Sequence, residues 1–470
     1  MSISLEAESA LPADHTAEAP PQEETQPAPP KDGRASRRQL FAAVGAALAA
    51  TALVKPEKAE AQRIVRPHTR RPAPPPATGE PLDRLVRRVT NGITEEELAR
   101  AKSMGFRRYL EYQLNYTAIE DSAVEAAVAT RYPALALDGL GLYQQDQNAL
   151  MNQLSEATMY RAAFSKRQLY ERMVHFWNDH FTIYYPKVNY LKLLDDRLVI
   201  RTHALGKFPD LLRASAHSPA MLEYLDNTRS RRNNVNQNYA REIMELHSLG
   251  VDGGYTQTDV EEVTRCLTGW TIQGRGEFRF DPNGHDFTAK TVLGNAIPAM
   301  PQTAGAAGIQ DGDTVLNILV AHPSTARYIS TKMIRWFLQY QPPAALVDKV
   351  AATYTRTGGD IKAMIRDILT SANLAAAPAK YKQPYQLVLS ALRATQPTVT
   401  SLNAVAIGQL RNLGQLLFQW EDPDGYPDNV DWWAGLALQR WNFCSFMTSQ
   451  ATGNTPVDVA PLMVVNTPDG

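Results

Sequence analysis

The sequence predicts a mainly α-helical protein, in which a single large helical domain carries a small β-hairpin insertion and follows a disordered N-terminus and a signal peptide. Over most of the chain after residue 81, apolar residues recur every three or four positions, as Leu169, Met173 and Phe176 do, and this is the period of an amphipathic helix. The period changes to two in one region, where residues 277–280 and 291–293 flank a loop and predict a short hairpin. We found no internal repeat and no linker within residues 81–470, so we predict one domain there.

Three segments are expected to precede this domain. Residues 1–35 are rich in Pro, Ala and Glu without an apolar period, which is typical of a disordered extension. Residues 36–61 contain Arg37-Arg38, a short uncharged apolar run and an Ala-Glu-Ala site, the order of a twin-arginine-type signal peptide. Residues 62–80 form a Pro-rich linker. We therefore predict a periplasmic or secreted protein that uses twin-arginine export and meets the membrane only during export.

Charge and cysteine content exclude two classes of protein. The chain has 48 Lys and Arg against 49 Asp and Glu, a net charge of −1, and it stays nearly neutral once residues 1–61 are removed. A nucleic-acid-binding protein needs a basic surplus on one face, so we expect no nucleic-acid partner. The sequence contains 2 cysteines, too few for a disulfide scaffold, and Cys266 lies on the apolar period of its helix and is predicted to be a buried free thiol.

Helix signals recur along the domain. Thr94 and Glu97 have the spacing of a capping box at the start of a helix, and Gly105 is a natural stop at the end of the same helix. Later helices are predicted at residues 148–164, from 165 past 177, 190–204, 209–217, 219–227, 314–321, 325–339, 344–355, 361–371 and 384–393. Residues 238–270 are expected to form two helices separated by Gly253-Gly254. This stretch has the highest density of groups that could carry chemistry.

The candidate metal ligands are His180, Glu242, His247 and His285. They come from three separate segments, each bordered by Gly, Asn or Pro turns, and imidazole and carboxylate are the side chains that bind divalent metals such as zinc. Asn178 or Asn238 would orient the ligands. The cofactor is otherwise unassigned, with a divalent metal as the candidate.

The candidate catalytic residues are Glu242, His247, His285 and Asp286, which could act directly as general acids and bases. A structural interpretation competes with both sets, because helical proteins often join their helices through buried Arg–Glu pairs and His–backbone hydrogen bonds. We favour the structural interpretation for Arg241 and Glu245. For three tryptophans near the C-terminus we favour core packing over a sugar-stacking platform: Trp432, Trp433 and Trp441.

Several motifs resemble, in the same order, a widespread bacterial family known as DUF1800, a domain of unknown function. They read HFWNDHFT, HSPAMLEYLDNTRS, NYAREIMELHSLGVDGGYTQTDVEEVTRCLTGWT, HDFTAKTVLG, AHPSTARYISTKMIRWF and PDGYP. The resemblance implies a mainly helical, exported protein, often with a twin-arginine signal. It also implies that the gene lies beside a gene of a second uncharacterised family, whose members resemble sulfatases and alkaline phosphatases. It supplies no reaction and so no catalytic residue. His175 and Asp179 depart from the family pattern, and we set both aside as ligands.

Two functional hypotheses follow from the sequence. The first is an exported, metal-assisted hydrolase that acts on a polymer of the cell envelope or its surroundings, and it rests on the polar groups of the three segments. The alternative is a non-catalytic binding or scaffold partner of an exported sulfatase-like or phosphatase-like protein. The alternative rests on the lack of a recognisable catalytic motif in the sequence and on the pairing of the two families that the resemblance implies.

Overall fold

The computed structural model describes residues 79–395 and 401–448. The predicted N-terminal extension, the signal peptide and the Pro-rich linker up to residue 78 lie outside the described residues. Within the described residues the protein is mainly helical, as predicted, and the strands form two small sheets of two strands each.

The first half of the described chain is a series of helices joined by short turns. They are α1 Pro81–Val89, α2 Glu95–Met104, α3 Phe106–Leu114, α4 Ser122–Arg131, α5 Gly139–Tyr143, α6 Gln147–Phe164, α7 Gln168–His180, α8 Tyr185–Val188, α9 Leu191–Asp195, α10 Arg201–His203, α11 Phe208–Ala216, α12 Pro219–Tyr224, α13 Asn238–Glu245 and α14 Gln257–Cys266. A single π-helical turn, Asp196–Ile200, connects α9 to α10.

The strands come next, and helices then return. The strands are β1 Trp270–Gln273, β2 Glu277–Phe280, β3 Lys290–Val292 and β4 Asn295–Ile297. The later helices are α15 Ile309–Ala321, α16 Pro323–Phe337, α17 Ala344–Thr357, α18 Ile361–Ile368, α19 Ser371–Ala376, α20 Pro384–Thr395, α21 Gly408–Asn412, α22 Val430–Trp433 and α23 Ala437–Thr448.

The predicted pairing of the hairpin is wrong. Strand β2 pairs antiparallel with β1, and β3 pairs antiparallel with β4, so residues 277–280 and 291–293 belong to different hairpins. Gly274 and Gly276 have φ of 55° and 111° in the turn between β1 and β2, and glycine adopts such angles without steric cost. Each strand therefore pairs with the neighbour that a short turn brings to it.

The capping prediction at α2 is half confirmed. The Thr94 side chain accepts a hydrogen bond from the backbone N–H of Glu97, at 3.1 Å, and so caps the helix. The Glu97 carboxylate is buried and accepts hydrogen bonds from Tyr109 and Gln113. A full capping box, with both hydrogen bonds, forms instead at the start of α14 between Thr256 and Asp259.

Most residues of helix α7 are buried. Leu169, Met173 and Trp177 are fully buried and belong to the main apolar core, as the sequence spacing predicted. A second cluster, which includes Tyr385, Leu392, Leu410 and Phe443, joins α6 to α20, α21 and α23. The C-terminal helices therefore pack against α6. No helix within the described ranges has both the length and the apolar character needed to cross a bilayer.

Candidate functional site

A cleft lies between the end of α7 and the loop that precedes α22. It contains about 480 Å³ that protein atoms do not fill, part of it open to solvent. Its lining comprises Thr158, His175, Asn178, Asp179, Thr182, Ile183, Gln415, Leu417, Phe418, Trp420 and Tyr426. The lining combines a carboxyl group with amide, hydroxyl, imidazole and aromatic groups, as ligand sites in proteins commonly do. We call it the Asp179 cleft.

Gly425 allows the loop to approach the end of α7. A Cβ atom at this position would lie 2.2 Å from the backbone oxygen of Asp179, and the residue has a φ of 76°. The close approach lets the backbone N–H of Tyr426 donate a hydrogen bond to Asp179 Oδ1, at 2.8 Å. Thr182 Oγ1 also donates to the backbone oxygen of Asp179, at 2.6 Å. The motif PDGYP is therefore joined to the motif HFWNDHFT through Asp179.

Replacing Gly425 with Ala is expected to destabilise the protein by about 2 kcal/mol or more, because it adds a steric clash to a strained φ. Gly414 is the matched control, because it has a φ of 74° and nothing within 4 Å of the added Cβ. Gly414→Ala should cost only the φ strain, about 1 kcal/mol. Urea unfolding of both variants measures the difference, and equal losses would contradict the close approach at Gly425.

The carboxyl group of Asp179 is poised to exchange a proton near neutral pH. Burial raises its pKa to about 7, against the hydrogen bond from the Tyr426 backbone and the charge of Lys332, which both lower the pKa. The side chain is partly accessible from the cleft, but protein atoms surround it on most sides. Asp179 Oδ2 has no hydrogen-bond partner among the described residues. An aspartate whose pKa matches the ambient pH, with one fixed and one free oxygen, is suited to general acid–base catalysis.

Two polar side chains flank Asp179 on α7. Asn178 Nδ2 donates to Asp196 Oδ1, at 3.0 Å, which holds the amide in place. Its Oδ1 is buried without a partner in the described residues and could accept a hydrogen bond from a ligand. His175 stacks on Tyr385, with ring centroids 4.0 Å apart, and burial and the nearby Arg172 lower its pKa to about 3. His175 is therefore neutral at physiological pH.

Aromatic rings form one wall of the cleft. The ring centroids of Trp420 and Tyr426 are 4.7 Å apart, and Trp420 Nε1 donates to Asp424 Oδ1, at 3.0 Å. Trp432 lies 5.8 Å from Trp420, ring to ring, outside the lining of the cleft. Such a wall can stack against a planar or ring-shaped ligand group.

The structure brings together two of the predicted metal ligands, His180 and His247. His180 Nε2 lies 3.2 Å from the backbone oxygen of His247, and their ring centroids are 6.2 Å apart. Both side chains are buried among aromatic rings, including Phe181 and Phe208. Burial lowers the pKa of His247 to about 3 and that of His180 well below its ordinary value. Glu242 meets His247 through its backbone oxygen, which accepts from the His247 N–H at 3.1 Å.

His285 and Asp286 are held in hydrogen bonds and ion pairs of their own. His285 Nδ1 lies 2.8 Å from the backbone oxygen of Thr268, and Nε2 lies 3.2 Å from Asp311 Oδ2. Asp311 also forms a buried ion pair with Lys290, at 2.6 Å. Asp286 pairs with Arg265, at 2.8 Å, and its pKa is lowered to about 2, because the hydrogen bonds from Arg265 and Thr288 outweigh the effect of burial. These partners join β3 and its flanking loop to α14 and α15.

The structure does not bring the four predicted metal ligands together as one group. Among the residues that the structure describes, no group of three or more His, Cys, Asp or Glu side chains is arranged so that it could hold a metal ion. Asn178 has Asp196 as its partner, and Asn238 donates to the backbone oxygen of Leu225. Arg241 donates to Gln257, and Glu245 accepts from Tyr255, so these two residues have structural roles with partners other than each other.

Apart from Asn178, which was expected to orient metal ligands, sequence reasoning did not select the residues of the Asp179 cleft. Asp179 and His175 are the two positions set aside because they depart from the family pattern, and Trp420 and Tyr426 received no role. The four-residue step from His175 to Asp179 places both on one helix face, and this was the available signal. The loop that completes the cleft is more than two hundred residues away in the chain, so no local pattern links it to α7.

Comparison with known proteins identifies a family and no further relative. No curated protein and no solved structure shows significant similarity to the chain. Residues 84–467 match the family model described as "Protein of unknown function (DUF1800)". Since this match covers most of the sequence, the chain belongs to the DUF1800 family.

Proposed function

We propose that the protein is an exported hydrolase that acts on a polymer of the cell envelope through acid–base chemistry at Asp179. One observation carries this proposal: the carboxyl group of Asp179, whose pKa burial raises to about 7, lines a cleft that opens to solvent. Perturbed carboxyl groups in clefts are typical of catalytic sites. The signal-peptide pattern at residues 36–61 supports the location.

The proposed step is proton transfer during attack by water. In its ionised form, Asp179 accepts a proton from a water molecule as the water oxygen attacks the scissile bond. The protonated carboxyl group then returns that proton to the leaving group, so the enzyme ends unchanged. The Tyr426 backbone N–H holds Oδ1, which leaves Oδ2 for the transfer. The Asn178 oxygen and the Trp420 ring would hold the substrate beside it.

A divalent metal has less support than acid–base chemistry. His180 and His247 form a pair of neutral imidazoles, to which the structure adds no third ligand from the described residues. His285 is already engaged by Thr268 and Asp311. The mechanism proposed above uses side chains of the cleft alone.

A substrate screen tests the proposed function. The exported protein would be offered carboxylic esters, phosphate and sulfate esters, glycosides and peptides at pH 7. We expect turnover of at least one class, and we expect Trp420→Ala to reduce kcat/KM by about tenfold through a higher KM, because it removes a stacking surface. Trp441→Ala is the matched control, since Trp441 is exposed and outside the cleft. No turnover of any class by folded protein, or equal effects of the two variants, would contradict the proposal.

Export is tested separately. The double variant Arg37→Lys, Arg38→Lys is expected to retain the unprocessed protein in the cytoplasm, because the twin-arginine pair is the feature that this export route reads. Cell fractionation and the mass of the purified chain measure the outcome. Normal export and cleavage of the double variant would contradict twin-arginine export.

Exposed apolar side chains favour the scaffold function as the second candidate. Trp432, Leu438 and Trp441 are 54%, 68% and 72% exposed, so the prediction that Trp432 and Trp441 pack in the core is wrong, whereas Trp433 is buried. Neighbouring exposed aromatic residues are enriched at protein interfaces. If the protein binds an exported sulfatase-like partner through this surface, Trp441→Ala should weaken that complex and Trp420→Ala should leave it unchanged. The two functions thus predict opposite patterns for the same two variants.

A further inference from the structure

Helix α7 carries a buried arginine whose opposite charge, Asp428, is already paired with a lysine. Arg172 is 5% exposed, its Nε has no hydrogen-bond partner, and its guanidinium lies 4.9 Å from the ring centroid of Trp336. Among the described residues it forms no ion pair. A buried charge without a partner is strongly unfavourable unless something else compensates it.

Further basic side chains gather around Arg172, and we call them together the basic cluster: Arg88, Arg172, Lys380 and Lys382. The ammonium group of Lys380 lies 5.6 Å from the same Trp336 ring. Burial, together with the charge of Arg88, lowers the pKa of Arg172 to about 10, against the charge of Asp428, which raises it. Burial also lowers the pKa of Lys380 to about 8, where Asp428 raises it and Arg172 and Arg88 lower it. Partial burial and then the charges of Arg87 and Arg172 lower the pKa of Lys382, which lies at the solvent edge of the cluster. The members are therefore close enough to repel one another.

One carboxylate pairs with the basic cluster, and its single negative charge does not balance the positive charge of the four basic side chains. Asp428 forms an ion pair with Lys380, at 2.8 Å, and also accepts a hydrogen bond from Gln383. Arg88 donates a hydrogen bond from Nη2 to the backbone oxygen of Pro378, at 2.7 Å. The charge of Asp428 also raises the pKa of Arg172, so this one carboxylate is shared between Lys380 and Arg172 and leaves the four basic groups with a net positive charge.

Free hydrogen-bond donors accompany the unbalanced charge. Four nitrogens on or beside the basic cluster are buried without a partner in the described residues: Arg172 Nε, Arg335 Nε, Trp336 Nε1 and Arg440 Nε. Asp428 connects Arg335 to the basic cluster, because its backbone oxygen accepts a hydrogen bond from Arg335 and its carboxylate pairs with Lys380. Arg88 and Arg440 are partly exposed and Lys382 is exposed, so a small ion has a route from solvent.

We propose that the basic cluster binds a doubly charged oxyanion, a phosphate or sulfate group. Four basic groups against one carboxylate leave enough positive charge for such a dianion, and guanidinium groups bind phosphate oxygens with paired, charge-assisted hydrogen bonds. The site neighbours the Asp179 cleft, because the Trp336 ring lies 5.5 Å from the ring of His175, but the basic residues do not line that cleft. The proposal does not depend on the hydrolase function. The group reaches the site either as the free ion or as part of an organic ester.

Anion titration of the full exported protein tests the proposal. Inorganic phosphate and inorganic sulfate would each be titrated against the protein by calorimetry and by thermal unfolding, at constant ionic strength maintained with chloride. We expect saturable binding to the wild type, and binding at least about tenfold weaker to Arg172→Met, since it loses charge-assisted hydrogen bonds. Arg327→Met is the matched control, because Arg327 is 55% exposed and pairs with Asp348. Equal responses of wild type and Arg172→Met would overturn the proposal.

Titrations with other anions define the ligand, and a second variant serves if the first does not fold. Phenyl phosphate that binds at least as tightly as inorganic phosphate would show that the site accepts the group on an organic molecule. Tighter binding of the inorganic ion would assign the free ion, and both results support the proposal. Acetate that binds as tightly as phosphate would overturn the dianion assignment. In anion-free buffer Arg172→Met should fold at least as stably as wild type, because it removes a buried positive charge from a cluster with a net positive charge. Should it not fold, Arg88→Met replaces it, and unchanged phosphate binding by that variant would overturn the proposal.

Discussion

Replacing Asp179 with Asn is expected to lower kcat/KM by roughly 10²–10⁴-fold, the range for the loss of a general acid or base. It should also remove an ionisation near pH 7 from the pH–rate profile. The reason is that burial raises the pKa of Asp179 to about 7, so in the wild type the ionised base forms as the pH rises through that value. The wild-type rate should therefore rise between about pH 6 and pH 8.

The folding of Asp179→Asn provides the control for this experiment. A carboxyl group whose pKa is higher in the folded state than in the unfolded state stabilises the fold at low pH, and that stabilisation is lost as the pH rises through the folded-state pKa. At pH 8 the wild type must bury an ionised carboxylate, whereas the Asn side chain stays neutral. The Asn variant should therefore be at least as stable as the wild type at this pH. An Asn variant that keeps both the wild-type rate and the inflection near pH 7 would exclude Asp179 as the proton-transfer group.

The second large effect is expected at His247, in the acid range. The pKa of His247 is lowered to about 3 in the folded protein by burial and by Lys332, whereas an unfolded histidine titrates near 6.5. Between these values the unfolded chain binds a proton that the folded protein excludes, so stability is lost as the pH falls. The contribution of this one group is about 1.4 kcal/mol for each pH unit in that range.

Urea unfolding of wild type and His247→Gln between pH 6 and pH 4 measures this contribution. The free energy of unfolding of the variant should fall less steeply with decreasing pH, by about 1.4 kcal/mol per unit. Trp441→Ala, an exposed substitution without a titratable group, should keep the wild-type slope. Parallel curves for wild type and His247→Gln would mean that His247 is not held neutral by the fold.

Local patterns in the sequence were sufficient for the helices and for part of their ends. Leu169, Met173 and Trp177 recur at helical spacing and are all fully buried in α7. The Thr94 cap forms as predicted. Both features depend on residues within a few positions of each other, where backbone geometry alone decides which side chains are neighbours. The strand pairing is local as well, because short turns join β1 to β2 and β3 to β4, and the predicted hairpin was wrong because it assigned neither β1 nor β4 as a partner strand.

The sequence by itself determined the helical class, the family and the buried character of α7, whereas the candidate site was decided by the tertiary structure. His180, His247 and His285 look alike as potential ligands in the sequence, yet the fold pairs the first two among aromatic rings and bonds the third to Asp311. Asp179 acquires its pKa from burial against a loop that ends at Tyr426, 247 residues away in the chain. The physical reason is that desolvation and charge depend on what surrounds a side chain in space, and spacing along a helix specifies only its nearest neighbours.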